Sequence, residues 1–182
     1  VAVVGSGYTG LSAALRLAEG GAKVAVIDAG QLAAGASSRN FGLLGRQFIP
    51  GFADLIKQLG LPRATELYGL CNDAFAHVNA LIDRLDIDCD RKQVGRFIAC
   101  ATPSHLAVQE HEHALRAKHL GHGFRLVGKD ALHQEFGSPA YFGGIVVPEH
   151  LTLHPGKVSS GLARAVRAAG STLTGDTEVT AI

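Results

Sequence analysis

Three glycines and one carboxylate stand at the spacing that holds a diphosphate. Gly5, Gly7 and Gly10 form G-x-G-x-x-G directly after the apolar run Val1, Ala2, Val3, Val4, which reads as a buried parallel strand, and Asp28 ends a second apolar run that begins at Val24. In such a turn the first glycine permits the tight bend, the second lets backbone N–H groups approach a pyrophosphate, and the third lets the helix pack close on the strand. The helix start adds its partial positive charge. Asp28 falls where a ribose 2′-OH is read. Between them Leu11, Ala14, Leu15 and Ala18 share one helical face. Strand, turn, helix, strand and acid in this register predict an adenine dinucleotide site.

Asp28 suits the ribose of NAD as well as that of FAD, so residues 1–28 leave open an NAD-linked dehydrogenase, a flavoprotein and a non-catalytic nucleotide-binding module. The next stretch is a loop of small residues over 29–45 where an NAD-type unit passes into another crossover helix. It contains GASSRNFG, with Ser37, Ser38, Arg39 and Asn40 at its centre. An arginine and an asparagine among Gly, Ala and Ser, just after the second strand, lie at the carboxyl edge where ligands bind in such sheets.

These two segments resemble the FAD-dependent amine and amino-acid oxidoreductases of the D-amino-acid oxidase superfamily, in particular the branch that includes gamma-glutamylputrescine oxidase. The family's G-x-G-x-x-G-L-S-A-A-x-x-L-A-x-x-G-x-x-V is met over residues 5–24. Its G-A-S-G-R-N-x-G loop is met with Ser38 for a glycine and Phe41 at the variable position. The likeness continues through Ile87-Asp88-Cys89-Asp90, Gly137-Ser138-Pro139, Gly143-Gly144, Leu153-His154-Pro155 and the closing GDTEVTAI.

The resemblance implies an α/β fold, a Rossmann-like FAD-binding parallel sheet with crossover helices plus part of a mixed-sheet substrate domain. Its segments are an FAD-binding piece at 1–90, a substrate-domain excursion at 91–148, and a return to the FAD-binding domain at 149–182. It implies that Ser37 and Ser38 bond phosphate or ribityl oxygens and that Arg39 and Asn40 lie nearest the isoalloxazine. A strand at Val179 brings that residue into the cofactor-binding set. The implied reaction oxidises a C–N bond of an amine or amino acid, with hydride passing to flavin N5, imine hydrolysis, and reoxidation by dioxygen or another acceptor. Members of the superfamily are roughly twice as long, so the sequence reads as an N-terminal piece whose substrate-facing residues lie elsewhere. No residue stands out as catalytic, as expected where a cofactor carries the difficult step.

The composition excludes other classes. Seventeen basic against sixteen acidic side chains leave +1, no field to draw nucleic acid or an anionic membrane. No apolar run reaches membrane-spanning length, and no charged n-region precedes an h-region. Cys71, Cys89 and Cys100 form no C-x-x-C and read as free thiols of a cytoplasmic protein, with Cys71 buried in a helix.

The elements that must position these residues follow from periodicity. Leu67, Cys71, Ala74, Phe75, Val78, Leu81, Ile82 and Leu85 recur at three and four residues, which predicts an amphipathic helix with a core-facing stripe. Residues 94–101 and 143–147 read as strands, with 104–120 a polar surface helix between them. After His154-Pro155, a helix over 156–169 leads to a strand near Thr172. His111-Glu112-His113 places its histidines two apart, on different helix faces, which argues against a shared metal. Asp86, Asp88 and Asp90 lack the glycine and distal glutamate of a calcium loop and read as a helix-ending turn. Gly143-Gly144 reads as a bulge.

Overall fold

The computed structural model describes residues 1–135 and 137–181. They form two compact units. The first comprises Val1–Leu43, Asn79–Arg91 and Leu153–Ile182, and the second Leu44–Val78 and Lys92–Thr152.

In the first unit β1 (Ala2–Val4), β2 (Ala25–Ile27) and β9 (Thr172–Thr174) make a parallel sheet in the order β1-β2-β9. The register aligns Val3, Val26 and Leu173 in one row. Strand side chains alternate between faces, so this row looks one way and Ala2, Val4, Ala25 and Ile27 the other. Helix α1 (Tyr8–Glu19) and helix α5 (Pro155–Ala168) pack on each other and on the strands. Their buried faces, Leu11, Ala14 and Leu15 against Val158, Leu162, Ala163 and Val166, cover the Val3 row with Val26 at its centre. Gly161 belongs to this packing, since a Cβ there would lie 2.6 Å from Ile87. Pro155 occupies the first turn of α5, where its missing N–H costs nothing, and His154 Nδ1 accepts from Lys157 N–H at 3.3 Å. His154-Pro155 therefore starts a helix, as its sequence suggests.

Four expectations change. The run at 1–4 is not a buried strand: Val1 is 65% and Val4 56% exposed, because the face opposite the helices has no cover among the described residues. Residues 175–181 hold no strand, so Val179 lies half-buried in an irregular segment, and Ile182 falls outside the described residues. Cys71, in the second unit, is half-buried and not buried, whereas Cys89 and Cys100 are buried. The long helix, α3 (Leu61–Arg84), begins six residues before the periodic stripe. Its stripe is half-buried, Ala74 is exposed, and only Ile82 of the stripe is buried; Ala64 and Tyr68 carry the packing instead. The helix closes as expected on its acidic turn. Asp86 takes a left-handed φ of 47°, with Ile87 N–H to Ile82 C=O and Asp86 N–H to Asp83 C=O, a Schellman-type ending.

The second unit joins helices to an antiparallel sheet in the order β5 (Arg96–Cys100), β7 (Gly143–Val147), β6 (Arg125–Gly128). A smaller sheet has the order β3 (Leu43–Leu44), β8 (Leu151–Thr152), β4 (Lys92–Gln93). The run at 94–101 thus divides at Gly95, which takes φ +72°. Gly143 and Gly144 sit in unbroken ladders with β5 and β6, so they form no bulge. A Cβ on Gly144 would come within 2.4 Å of the Phe97 ring and one on Gly143 within 2.3 Å of Val127 C=O, so close approach explains both.

Helix α2 (Phe52–Leu59), part of α3, and α4 (Pro103–Leu120) enclose a cluster of Phe52, Leu55, Ala64 and Tyr68, with Leu67, Leu115 and Leu120 against it. Thr102 caps α4 through His105 N–H, and Gly121 ends it at φ +67°. The expectation of a wholly solvated α4 fails on one face, where His113 and Arg116 are buried. Glu112 there replaces a missing cap on α2: its carboxylate accepts from Phe52 and Ala53 N–H, both at 2.8 Å.

Candidate functional site

The turn between β1 and α1 is built as the glycine spacing demands. Gly5 takes φ +94° and its N–H continues the parallel ladder to Ile27 C=O at 2.8 Å. At Gly10 an added Cβ would sit 2.0 Å from Gly5 C=O, so only glycine lets the helix start so close to the strand end. Gly7 is the N-cap of α1 and supplies no side-chain acceptor, leaving the first-turn N–H groups aimed at whatever lies ahead.

What lies ahead is the second motif. Ser37, in a 3₁₀ turn at Ala36–Ser38 that packs beside α5, accepts from Tyr8 N–H at 3.0 Å through its Oγ. The same Oγ is 3.1 Å from the place of a Cβ on Gly7. The phosphate turn and the GASSRNFG loop, 29 residues apart at this bond, therefore meet at one point. Tyr8 adds a bond from its hydroxyl to Pro155 C=O at 3.2 Å.

Asp28 is held at the end of β2 by a residue hidden in the motif's variable position. Ser6, buried, donates to Asp28 Oδ2 from its N–H at 2.6 Å and from its hydroxyl at 2.5 Å, while its Oγ accepts from Ala33 N–H. Gly30 N–H reaches Oδ1 at 3.0 Å. These donors, the Ser6 hydroxyl foremost, hold the Asp28 carboxyl below the usual carboxylate range. Three donors occupy a group with about four lone-pair directions, so one acceptor direction remains for an outside hydroxyl. A hydroxyl one residue after Gly5 was the only signal of this brace in the sequence.

The remaining loop residues divide. Ser38 Oγ donates to Gly35 C=O at 3.0 Å, and the Asn40 amide donates to Ala36 and Ser37 C=O while accepting from Gly42 N–H. Their polar groups shape the turn itself. Arg39 is exposed; its N–H closes the turn on Ala36 C=O at 3.2 Å, and its guanidinium has no hydrogen bond or ion pair among the described residues. Gly42 anchors the far end, its C=O accepting from Leu153 N–H at 2.8 Å. Val179 takes no part in this hydrogen-bonded constellation. Among the described residues no cluster of His, Cys, Asp or Glu could hold a metal.

A helix start in a glycine turn, a serine hydroxyl bonded to its first N–H and a braced carboxylate suit a pyrophosphate and a ribose diol. A family profile described as DAO, FAD dependent oxidoreductase, matches residues 1–182. The chain belongs to the DAO family of FAD-dependent oxidoreductases. That membership separates the flavin reading from the nicotinamide one, which residues 1–28 alone leave open.

Among curated relatives, the chain is 32% identical over 170 residues to gamma-glutamylputrescine oxidoreductase of Escherichia coli, covering 93% of this chain and 40% of that protein. It is 33% identical over 168 residues to the probable oxidoreductase OrdL of Haemophilus influenzae, covering 91% of this chain and 38% of that one. The chain thus spans about two-fifths of the length of these relatives. Among solved structures, glycine oxidase from Geobacillus kaustophilus superposes with a TM-score of 0.81 at 23% identity, over 98% of this chain and 46% of that one. L-amino acid deaminase from Proteus myxofaciens gives 0.71 at 18% identity, over 95% and 37%. These likenesses establish the Rossmann-like α/β fold. No helix among the described residues is long and apolar enough to cross a membrane.

Proposed function

We propose that this chain carries the phosphate- and ribose-binding part of an FAD enzyme that oxidises a C–N bond of a small amine or amino acid. The observation that carries the proposal is the meeting of the two motifs at Tyr8 N–H and Ser37 Oγ. The Tyr8 N–H and the Ser37 hydroxyl at the start of α1 would hold a pyrophosphate oxygen. Gly7 leaves room for it. Asp28, fixed by Ser6 and Gly30, accepts from the ribose through its remaining lone pair. Asn40 and Ser38 keep the loop in shape, and Arg39 extends a cation beyond it.

When bound, FAD would supply the two-electron oxidation of the C–N bond, accepting the hydride from the carbon beside the amine nitrogen, and water would then release a carbonyl compound and an amine or ammonia. The chain's own contribution is to hold the cofactor in one orientation and place a positive charge near it. The first compact unit is the cofactor-binding part, and the second, with its antiparallel sheet, belongs to the substrate side. Free, buried Cys89 and Cys100 fit a reducing, cytoplasmic setting.

Anaerobic mixing of the flavin-loaded protein with a panel of primary amines, secondary amines and amino acids tests the reading. Bleaching of the flavin by at least one member, with an equivalent of carbonyl product, is expected. Bleaching by hydroxy acids and by none of the nitrogen compounds would overturn it.

A further inference from the structure

The second unit contains a cleft that the cofactor reading does not use. It has a volume of about 190 Å³, below that of a drug-sized ligand pocket. Its lining includes Tyr68, Arg96, Glu112, His113 and Arg116. Arg116 and His113 are 5% and 4% exposed, whereas Gln47 and Phe48 at the rim are open to solvent.

The charges do not balance. Arg116 donates to Arg46 C=O at 2.6 Å and to His122 Nδ1 at 3.3 Å and lies over the Tyr68 ring at 5.4 Å, all uncharged partners. Arg96 donates to the side-chain amide oxygen of Gln47 at 2.9 Å. Neither guanidinium has an ion pair among the described residues. Arg46 nearby is already paired with Glu149, and the Glu112 carboxylate faces the start of α2. Two buried nitrogens also lack partners. Arg116 Nε carries a proton and has no acceptor. His113 Nδ1 donates to Gln109 C=O at 2.9 Å, which leaves Nε2 as a bare lone pair with no donor. An unpaired buried cation is costly, and a small anion in the cleft would pair it.

We propose that this cleft binds a phosphate-type oxyanion between Arg96 and Arg116. The argument is independent of the flavin reading. A phosphate or phosphomonoester group brings up to two negative charges and several acceptor oxygens to the two guanidiniums. A carboxylate brings a single charge and two oxygens.

Calorimetric titration of the full protein with inorganic phosphate, with acetate and with chloride at matched ionic strength tests this. Saturable phosphate binding is expected, at least tenfold tighter than acetate. Arg96→Gln weakens it tenfold or more, the loss of one charge-assisted bond. Gln47→Glu, a change at an exposed position, does the same by placing a carboxylate on Arg96, and keeps the test decisive if Arg96→Gln does not fold. A phosphate response no greater than that of chloride overturns the proposal. So does phosphate binding unchanged in Gln47→Glu, the result expected if the ion binds at the Gly5–Gly10 turn.

Discussion

The buried histidines of the second unit make it acid-labile, by an amount the structure allows to be worked out. His122 and His150 are 3% and 2% exposed. Burial, reinforced by Arg46 and Arg116 at both and by Arg96 at His150, lowers both from an ordinary 6.5 to about 4. The geometry at His122 requires the neutral ring: Nδ1 accepts from Arg116 while Nε2–H donates to Asn72 Oδ1 at 2.9 Å. A proton on Nδ1 would set one donor against another. His113 is shifted the same way, by burial. For a base whose folded pKa is depressed, the unfolded chain binds the proton first, so stability is intact above 6.5 and is lost as pH falls from 6.5 towards 4. Near pH 5 each of the two histidines costs about 2 kcal/mol, and the pair about 4 kcal/mol, a large share of a domain's stability. The lowered carboxyl of Asp28 loses its stabilising effect only below its unfolded value of 3.8, outside this window. Urea unfolding at about pH 7.5 and pH 5 measures the difference. The double variant His122→Gln, His150→Gln, which keeps one donor and one acceptor at each site, should flatten the slope. Equal stability at the two pH values, or an unchanged slope in the double variant, would refute the reasoning.

The cofactor site yields further expectations. Gly10→Ala puts a Cβ 2.0 Å from Gly5 C=O, so it should lower stability by about 1–3 kcal/mol and impair flavin retention together; a melt indistinguishable from wild type contradicts the packing. Asp28→Ala should weaken FAD binding by about 1.5–3 kcal/mol, roughly ten- to a hundredfold, read by flavin fluorescence; an unchanged Kd means that Asp28 does not meet the ribose. Arg39→Ala and Asn40→Ala should separate. Asn40→Ala removes the bonds to Ala36, Ser37 and Gly42 and lowers the melting temperature, whereas Arg39→Ala leaves stability unchanged and slows flavin reduction in stopped flow.

How much of this was legible in the sequence depended on range. Apart from the exposure of Val1 and Val4, residues 1–28 read through to their structure because strand, turn, helix and acid are neighbours whose spacing carries the geometry. The His154-Pro155 helix start and the acidic turn after α3 read well for the same local reason. Charge patterning misled at α4. Its run of polar residues looks solvated, yet His113 and Arg116 are buried against residues as far off as Arg46, a contact no window of the sequence contains. Gly143-Gly144 suggested a bulge because the need for space came from Phe97 and Val127 on other strands. The Ser6 brace on Asp28 joins residues 22 apart and left only a hydroxyl as its trace. Arg39 and Asn40 look equivalent as neighbours in sequence, and only the bonds of Asn40 to its own turn tell them apart.

The central claim is that the turn at Gly5–Gly10 holds the pyrophosphate of FAD. Its most direct test is the flavin content of the purified full-length protein beside that of Gly7→Val, whose side chain would enter the space between α1 and Ser37 Oγ. The account predicts flavin absorbance near one equivalent in the wild type and its loss in the variant, with the fold retained by circular dichroism. Stoichiometric FAD in a folded Gly7→Val protein would contradict it.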